Sequence, residues 1–420
     1  MSDEEQSLIK SIVLMTDPDA LREGKIPLPD VEEQQAFWTE RDPLFLSPLN
    51  ERLMEHCGRV AYANLRFTDS HRRLEGWETD KGELYIRYGK PQSRFVRAAE
   101  IRIPRFEAWD YGSFQVWFAN PISSAWRFEG GRVGRVTLNQ KKDLVERIRE
   151  KFKDPYQWDK FRIPYQVGQF RGSDDKTRIE VYYGLSHERI ATDDEGSGYV
   201  EFPSLKQGLF FFDASWDTVY SEVLEVSRLP RVYLAGVERH YALGSDRLSM
   251  TPGNYSVVFE AEDKTSRAIG SFRDLINVRS FAGTGLNISS LLLARRITEA
   301  DGVEGRERFT ILPNPMRRFD SGGKGALYFE IYNLKQDEFG RTNYEVTYQL
   351  RSLTEVGEVQ DPVWETALTY QHDGSTALEP IHFELDLRTV PPGLWDARIM
   401  VKDLRTDATV TTGDSYRVLW

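Results

Sequence analysis

The sequence predicts an α+β N-terminal domain followed by two all-β sandwich domains of immunoglobulin/fibronectin-III-like type. Three observations carry that prediction. Leu49, Leu53, His56, Val60, Ala63 and Phe67 recur at three- and four-residue steps, one buried stripe of a helix. From about residue 166 onward, short aromatic and β-branched runs alternate with Gly, Pro, Asp and Asn clusters, the texture of sandwich strands. A strand pattern within that half recurs 140 residues later: Pro252-Gly253-Asn254-Tyr255 aligns with Pro392-Gly393-Leu394-Trp395.

The first 35 residues read as a polar helix from Glu4 to Met15 and a connector broken by Asp17-Pro18 and Ile26-Pro27-Leu28-Pro29. A second helix is predicted over Val31–Glu40, ended by Arg41-Asp42-Pro43. The main helix then runs from Pro48 to Phe67, with Ser47 as N-cap, Pro48 at its first position and Glu55 four residues before Arg59. Leu84 to Tyr88 reads as a short strand stopped by Gly89 and Pro91. Phe106–Tyr111 and Phe114–Ala119 read as a hairpin around Gly112-Ser113, and Leu138–Phe152 returns to helical spacing.

The β half contains candidate strands at Ile179–Leu185, Gly208–Ala214, Tyr220–Val226, Tyr255–Ala261 and Phe272–Val278. After a linker from Arg295 to Gly325, others follow at Leu327–Tyr332, Tyr344–Leu350, Thr366–Tyr370, Ile381–Leu387, Trp395–Val401 and Ser415–Leu419. In the repeat, Val257, Phe259 and Ala261 fall on Ala397, Ile399 and Val401, and Asp263 falls on Asp403. Upstream, Tyr183-Gly184-Leu185 pairs with Tyr332-Asn333-Leu334 at an offset of 149. The implied domains are 1–35 (helix and connector), 36–165 (α+β), 166–300 (first sandwich) and 301–420 (second sandwich).

Composition narrows the function. Of 420 residues, 55 are Lys or Arg and 66 are Asp or Glu, a net charge of −11 that disfavours a nucleic-acid binder. The single cysteine, Cys57, excludes an intrachain disulfide framework and a Cys-rich zinc site. No stretch approaches the roughly 18–20 apolar residues of a membrane span. The acidic start, with Ile12–Met15 as its longest apolar run, lacks the roughly 7-residue core of an export signal. No P-loop, dinucleotide fingerprint, G-x-S-x-G elbow or HExxH occurs, so no cofactor or metal is expected. Asp193-Asp194-Glu195 with Gly196 could offer oxygen ligands to calcium but lacks EF-hand spacing and reads better as a solvated loop. Trp109, Tyr111, Trp117, Trp126 and Phe210–Phe212 could form a sugar-binding platform, although alternation along strands favours core packing.

The segment from Gly76-Trp77-Glu78-Thr79-Asp80 through Lys81-Gly82-Glu83-Leu84-Tyr85-Ile86-Arg87-Tyr88-Gly89-Lys90-Pro91 resembles the signature of the GWxTD-domain family. Phe37-Trp38, Arg41-Asp42-Pro43, Asn50-Glu51 and Arg59 to Asn64 resemble its helical lead-in, and Glu107 to Tyr111 its aromatic strand. The resemblance implies a bacterial protein in an extracytoplasmic setting, although no leader is recognisable here. It supplies no catalytic residues. On the residues themselves, Gly76, Trp77, Thr79, Asp80 and Gly82 read as architecture: a β-turn at Thr79–Gly82 with Gly82 at positive φ, and Trp77 plugging the core. His56, on the apolar stripe, reads as a buried histidine. The leading expectation is a non-enzymatic interaction protein whose sandwiches dock a protein partner. The alternatives are an enzyme using Asp80, His56, Glu55 and Arg59 as acid/base and anion-holding groups, and a carbohydrate-binding protein.

Overall fold

A computed structural model describes residues 11–12, 30–100, 104–120, 126–153, 156, 160–186, 192–193, 199–233, 240–301, 305–361 and 363–419. The chain divides into two compact units, Met1–Gln157 with Ser215–Asp217, and Trp158–Ala214 with Thr218–Trp420. Of the helix expected over Glu4–Met15, only Ser11 and Ile12 are described, and both are helical.

In the first unit, α1 (Val31–Glu40) opens with a capping box: Glu33 N donates to Asp30 Oδ1 and Asp30 N to Glu33 Oε2. Helix α2 (Glu51–Phe67) is capped by Asn50, whose Oδ1 accepts from Leu53 N at 2.9 Å. Ser47 was the expected cap, but it closes the preceding turn on Leu49 O instead. Asn50 wins because its amide also donates to Trp38 O at 2.7 Å, tying α2 to α1. Leu49 therefore lies outside the helix and is exposed.

The segment expected to be a turn and a strand is helical. Gly76–Glu78 is one 3₁₀ turn, and α3 spans Asp80–Tyr88. Every residue from Lys81 to Tyr88 is buried. Lys81 and Glu83 are buried in ion pairs with Glu107 and Lys141 instead of facing water, and the short apolar run Leu84-Tyr85-Ile86 does not by itself separate helix from strand. An antiparallel sheet follows in chain order: β1 (Ser93–Arg97), β2 (Arg105–Asp110), β3 (Phe114–Asn120), β4 (Arg127–Val133) and β5 (Val136–Leu138). The predicted hairpin is β2–β3, with Gly112 at φ 80° in its turn. Helix α4 (Lys141–Arg147) is shorter than expected because Leu138 belongs to β5. Trp109, Val116 and Phe118 of the sheet pack on Leu84 and Tyr88 of α3 and on Leu144 of α4.

The second unit holds two sandwiches. The first is built from β6 (Lys160–Phe161), β7 (Tyr165–Arg171), β8 (Thr177–Ser186), β9 (Thr192–Asp193), β10 (Tyr199–Phe212), β11 (Thr218–Tyr233), β12 (His240–Met250), β13 (Gly253–Asp263) and β14 (Ile269–Val278). One layer is β7-β8-β12. The other is β6-β14-β13-β10-β11, and the end of β11 bridges to β12. The second sandwich is built from β15 (Asn287–Ile288), β16 (Leu292–Glu299), β17 (Phe309–Pro313), β18 (Arg318–Asp320), β19 (Lys324–Tyr332), β20 (Thr342–Leu353), β21 (Glu365–Gly374), β22 (Leu378–Asp386), β23 (Gly393–Asp403) and β24 (Thr409–Leu419). Its layers are β22-β19-β16-β17 and β18-β24-β23-β20-β21.

The two modules share one layer order, β6-β14-β13-β10-β11 against β18-β24-β23-β20-β21, an immunoglobulin/fibronectin-III-like pair. β13 and β23 occupy the same central place. Val257, Phe259 and Ala261 face the first core, as Ala397, Ile399 and Val401 face the second. Both strands end in one turn: Asp263 N donates to Ala268 O and Asp403 N to Ala408 O, with Arg267 and Asp407 at φ 63° and 59°. The expected linker Arg295–Gly325 is instead largely structured, supplying most of β16 and all of β17 and β18. Its Arg and Gly residues had masked strands that alternate around Ile297, Ile311 and Phe319.

The offset of 149 between β8 and β19 is corrected by strand parity. Tyr183 points into the first core against Phe259, whereas Tyr332 points out of the second. One residue of slip reverses the face. At an offset of 150, Glu180-Val181-Tyr182 falls on Glu330-Ile331-Tyr332 with matching roles: Tyr182 OH donates to Glu180 and Tyr332 OH to Glu330. Glu180 and Glu330 are only 1% and 2% exposed, and the outward faces of β8 and β19 meet there. Arg178 bridges them, with Nη2 2.8 Å from Glu330 Oε1 and Nε 3.2 Å from Glu180 Oε1. Phe170, Tyr182, Leu292, Phe309 and Tyr328 pack around this network.

Candidate functional site

The Gly76–Gly82 signature lies where α2, α3 and the sheet converge. Gly76 sits against α2 so closely that a β-carbon there would lie 1.9 Å from Ala63 O. Trp77 N donates to Asn64 Oδ1 at 3.0 Å, and the indole is buried with Val60, Ala63 and Ile86. Thr79 caps α3: its Oγ1 accepts from Gly82 N at 3.1 Å and donates to Gly76 O at 2.7 Å. Gly82 is helical, not at positive φ. It is required because a β-carbon would lie 1.8 Å from Gly76 O.

The carboxylate of Asp80 is consumed by structure. Its Oδ2 accepts from Phe128 N of β4 at 2.9 Å, and its Oδ1 from Lys141 Nζ of α4 at 2.6 Å. The same ammonium reaches Glu83 Oε2 at 2.6 Å. Lys81 lies 2.6 Å from Glu107 of β2 and 3.2 Å from the centre of the Trp126 ring, and burial pushes its ammonium down to about 8.

The four groups of the enzyme alternative do not share one opening. Glu55 and Arg59 are together: Arg59 Nη2 lies 2.6 Å from Glu55 Oε1 and 2.6 Å from Lys151 O, while Nη1 donates to Ile86 O at 2.7 Å. Arg59 thus ties α2 to α3 and to the segment after α4. Both residues line a cleft of about 500 Å³ that neither Asp80 nor His56 lines. His56 is 0% exposed, 2.9 Å from Ser11 Oγ, and its ring centre is 5.0 Å from that of Trp38. Burial, reinforced by Arg52 and Arg59, holds its pKa down to about 3, so the ring is neutral at physiological pH.

The aromatic set does not form one platform. Trp109, Tyr111 and Phe210–Phe212 are buried, and only Trp117 and Trp126 are half-exposed. Of the acidic loop, Asp194, Glu195 and Gly196 lie outside the described residues, and only the backbone of Asp193 is described. Among the described residues no cluster of three His, Cys, Asp or Glu could hold a metal, and no helix is long and apolar enough to cross a membrane.

No family model matches the chain, and no curated protein does either. Among solved structures, Escherichia coli alpha-2-macroglobulin activated by trypsin matches with a TM-score of 0.20 at 12% identity, over 74% of this chain and 19% of that one. A serine-rich repeat protein from Streptococcus agalactiae matches with a TM-score of 0.19 at 9% identity, over 60% and 92%. A calcium-binding mutant of Bacteroides uniformis beta-glucuronidase 2 gives 0.18 at 8% identity, over 57% and 26%. The chain spans about a fifth of the macroglobulin's length, and nothing about its own chemistry follows from these likenesses.

Sequence reasoning missed two features. The Glu-x-Tyr pairs at 180–182 and 330–332 stand in the sequence at an offset of 150, but only strand parity reveals their register and their common face. The cleft residues Gly58, Lys90, Lys151 and Lys153 come from three separate segments, and Lys151-Phe152-Lys153 is the one local pattern that hints at them.

Proposed function

We propose that this chain is a non-enzymatic, multidomain interaction protein of the bacterial envelope, whose sandwiches dock a protein partner. The observation that carries this reading is the edge strand β21. It ends the layer β18-β24-β23-β20-β21, and among the described residues no strand pairs with its outer side. Eight of its ten residues are exposed, Leu368 among them. Such an edge offers a row of backbone donors and acceptors to an added strand. The buried Glu180–Arg178–Glu330 bridge supports the same reading, because it joins the two sandwiches within one compact unit. The resemblance of Gly76–Pro91 to GWxTD proteins supports a bacterial, extracytoplasmic setting, with the signature serving as the clasp of the N-terminal unit.

The test is site-specific photocrosslinking in the host cell. A photoreactive residue at Ala367 or Thr369 of β21 should give one discrete protein adduct, and the same residue at Arg135 of the N-terminal unit should not. Absence of any adduct from β21, or equal adducts from both positions, would overturn the docking assignment. Cell fractionation tests the setting: recovery in the cytoplasm alone would refute the envelope location.

A further inference from the structure

The cleft of about 500 Å³ in the N-terminal unit lies within the size range of small-molecule sites. One wall is the Tyr62–Tyr85 pair, stacked with ring centres 4.4 Å apart, and the Phe152 ring also lines it. Its charge is lopsided. Lys90, Lys151, Lys153 and Arg59 line it against a single carboxylate, Glu55. That carboxylate is already taken by Arg59 and by Lys153 N. Lys151 Nζ donates to Ser113 Oγ at 2.8 Å, and Lys90 and Lys153 have no carboxylate partner among the described residues. A positive cleft in a chain of net charge −11 is a local field that selects anions.

An independent observation comes from Gly58, at the cleft and inside α2. Glycine in a helix interior is unfavourable relative to alanine, so it calls for a reason. At Gly76 and Gly82 the reason is backbone at less than 2 Å from a β-carbon. At Gly58 a β-carbon would meet nothing within 4 Å. No contact among the described residues demands glycine there, but any side chain would project into the cleft.

We propose that this cleft binds a small aromatic anion, its ring against the Tyr62–Tyr85 wall and its carboxylate held by Lys90 and Lys153. This goes beyond the docking role of the sandwiches and does not depend on it. The ligand is either a free aromatic acid or the carboxyl terminus of a polypeptide ending in an aromatic residue. The probes are 2-naphthoate, its uncharged amide, and a short peptide ending in phenylalanine with a free or amidated carboxyl group, titrated calorimetrically into the full chain. Naphthoate should bind saturably, and its amide about tenfold more weakly or worse, the loss expected for a charge-assisted hydrogen bond. The double substitution K90Q/K153Q should weaken naphthoate to a similar degree. Gly58→Leu should abolish binding while leaving the melting temperature unchanged or higher. Tighter binding of the free-carboxyl peptide than of naphthoate assigns the ligand to a polypeptide terminus, and the reverse assigns it to a free acid; both uphold the site. No saturable binding, equal binding of acid and amide, or undiminished binding by a folded Gly58→Leu chain would overturn it.

Discussion

Replacing Gly82 with alanine adds one methyl group to α3, and intrinsic helix propensity alone would reward it by about 1 kcal/mol. The tertiary structure reverses the sign. The new β-carbon would lie 1.8 Å from Gly76 O, 2.7 Å from its carbonyl carbon and 3.0 Å from Trp77 Cα, and all three are backbone atoms. Ordinary contact begins at 3.4 Å, so the 3₁₀ turn and α3 must part by about 1.6 Å, the difference between 3.4 and 1.8. That separation breaks the 2.7 Å bond from Thr79 Oγ1 to Gly76 O and lifts Trp77 from Val60, Ala63 and Ile86. Overpacking costs about 1–3 kcal/mol and the buried hydrogen bond about 1 kcal/mol. After the propensity gain, the net effect is a destabilisation of about 1–3 kcal/mol. Gly58→Ala is the control: it meets nothing, sits in α2 and should stabilise by up to about 1 kcal/mol. Urea titration of the full chain, followed by tryptophan fluorescence of the N-terminal transition, reads both variants. A Gly82→Ala midpoint equal to or above that of Gly58→Ala would refute the close-approach argument.

Three other outcomes follow from the same geometry. Thr79→Ala should cost the N-terminal transition about 1 kcal/mol through loss of the α3 cap, and Thr79→Ser should restore most of it; equal midpoints for the two variants would show that the hydroxyl does not cap. Glu330→Ala removes the acceptor of Tyr328 and Tyr332 and one carboxylate of Arg178, so it should destabilise the sandwich pair by about 3–5 kcal/mol. Calorimetry should then resolve two sandwich transitions in place of one, and an unsplit, unshifted peak would refute the bridge. Asp246 faces the interior of the first sandwich, where burial, and then Glu222, raise its pKa from the ordinary 3.8 to about 6. Between those values the folded state holds a proton that the unfolded state has released. Stability should therefore fall as pH rises from about 4 to about 6 and stay lower above it. Asp246→Asn should melt higher than the native chain at pH 7.5 and lose that advantage near pH 4; a constant difference would refute the assignment.

Much of the β half was legible because its strands are half-buried. β13 and β23 alternate inward and outward, so Val257, Phe259 and Ala261, and their counterparts at 397, 399 and 401, declare the inner face residue by residue. The bounds of α1 were legible in the same way, but its capping box of Asp30 and Glu33, although only four residues long, was not read from the sequence. The signature segment was misread because Lys81 and Glu83 are buried in ion pairs instead of facing water. The short apolar run Leu84-Tyr85-Ile86 does not by itself separate helix from strand. The choice of Asn50 over Ser47 as cap was hidden too, since it depends on Trp38 O twelve residues upstream.

The sequence by itself determined the division into an α+β part and a duplicated β part, the positions of most strands, and the placement of Trp77 in the core, because these rest on local patterning of apolar residues. Only the tertiary structure decided that the signature is a capped helix, that Gly76 and Gly82 are demanded by backbone contact, and that Glu55 and Arg59 open onto a cleft apart from Asp80 and His56. It alone decided that Glu180 and Glu330 meet across the two sandwiches. These are distances between segments remote in the chain, and a linear pattern encodes which side chains want burial but not which of them are buried together.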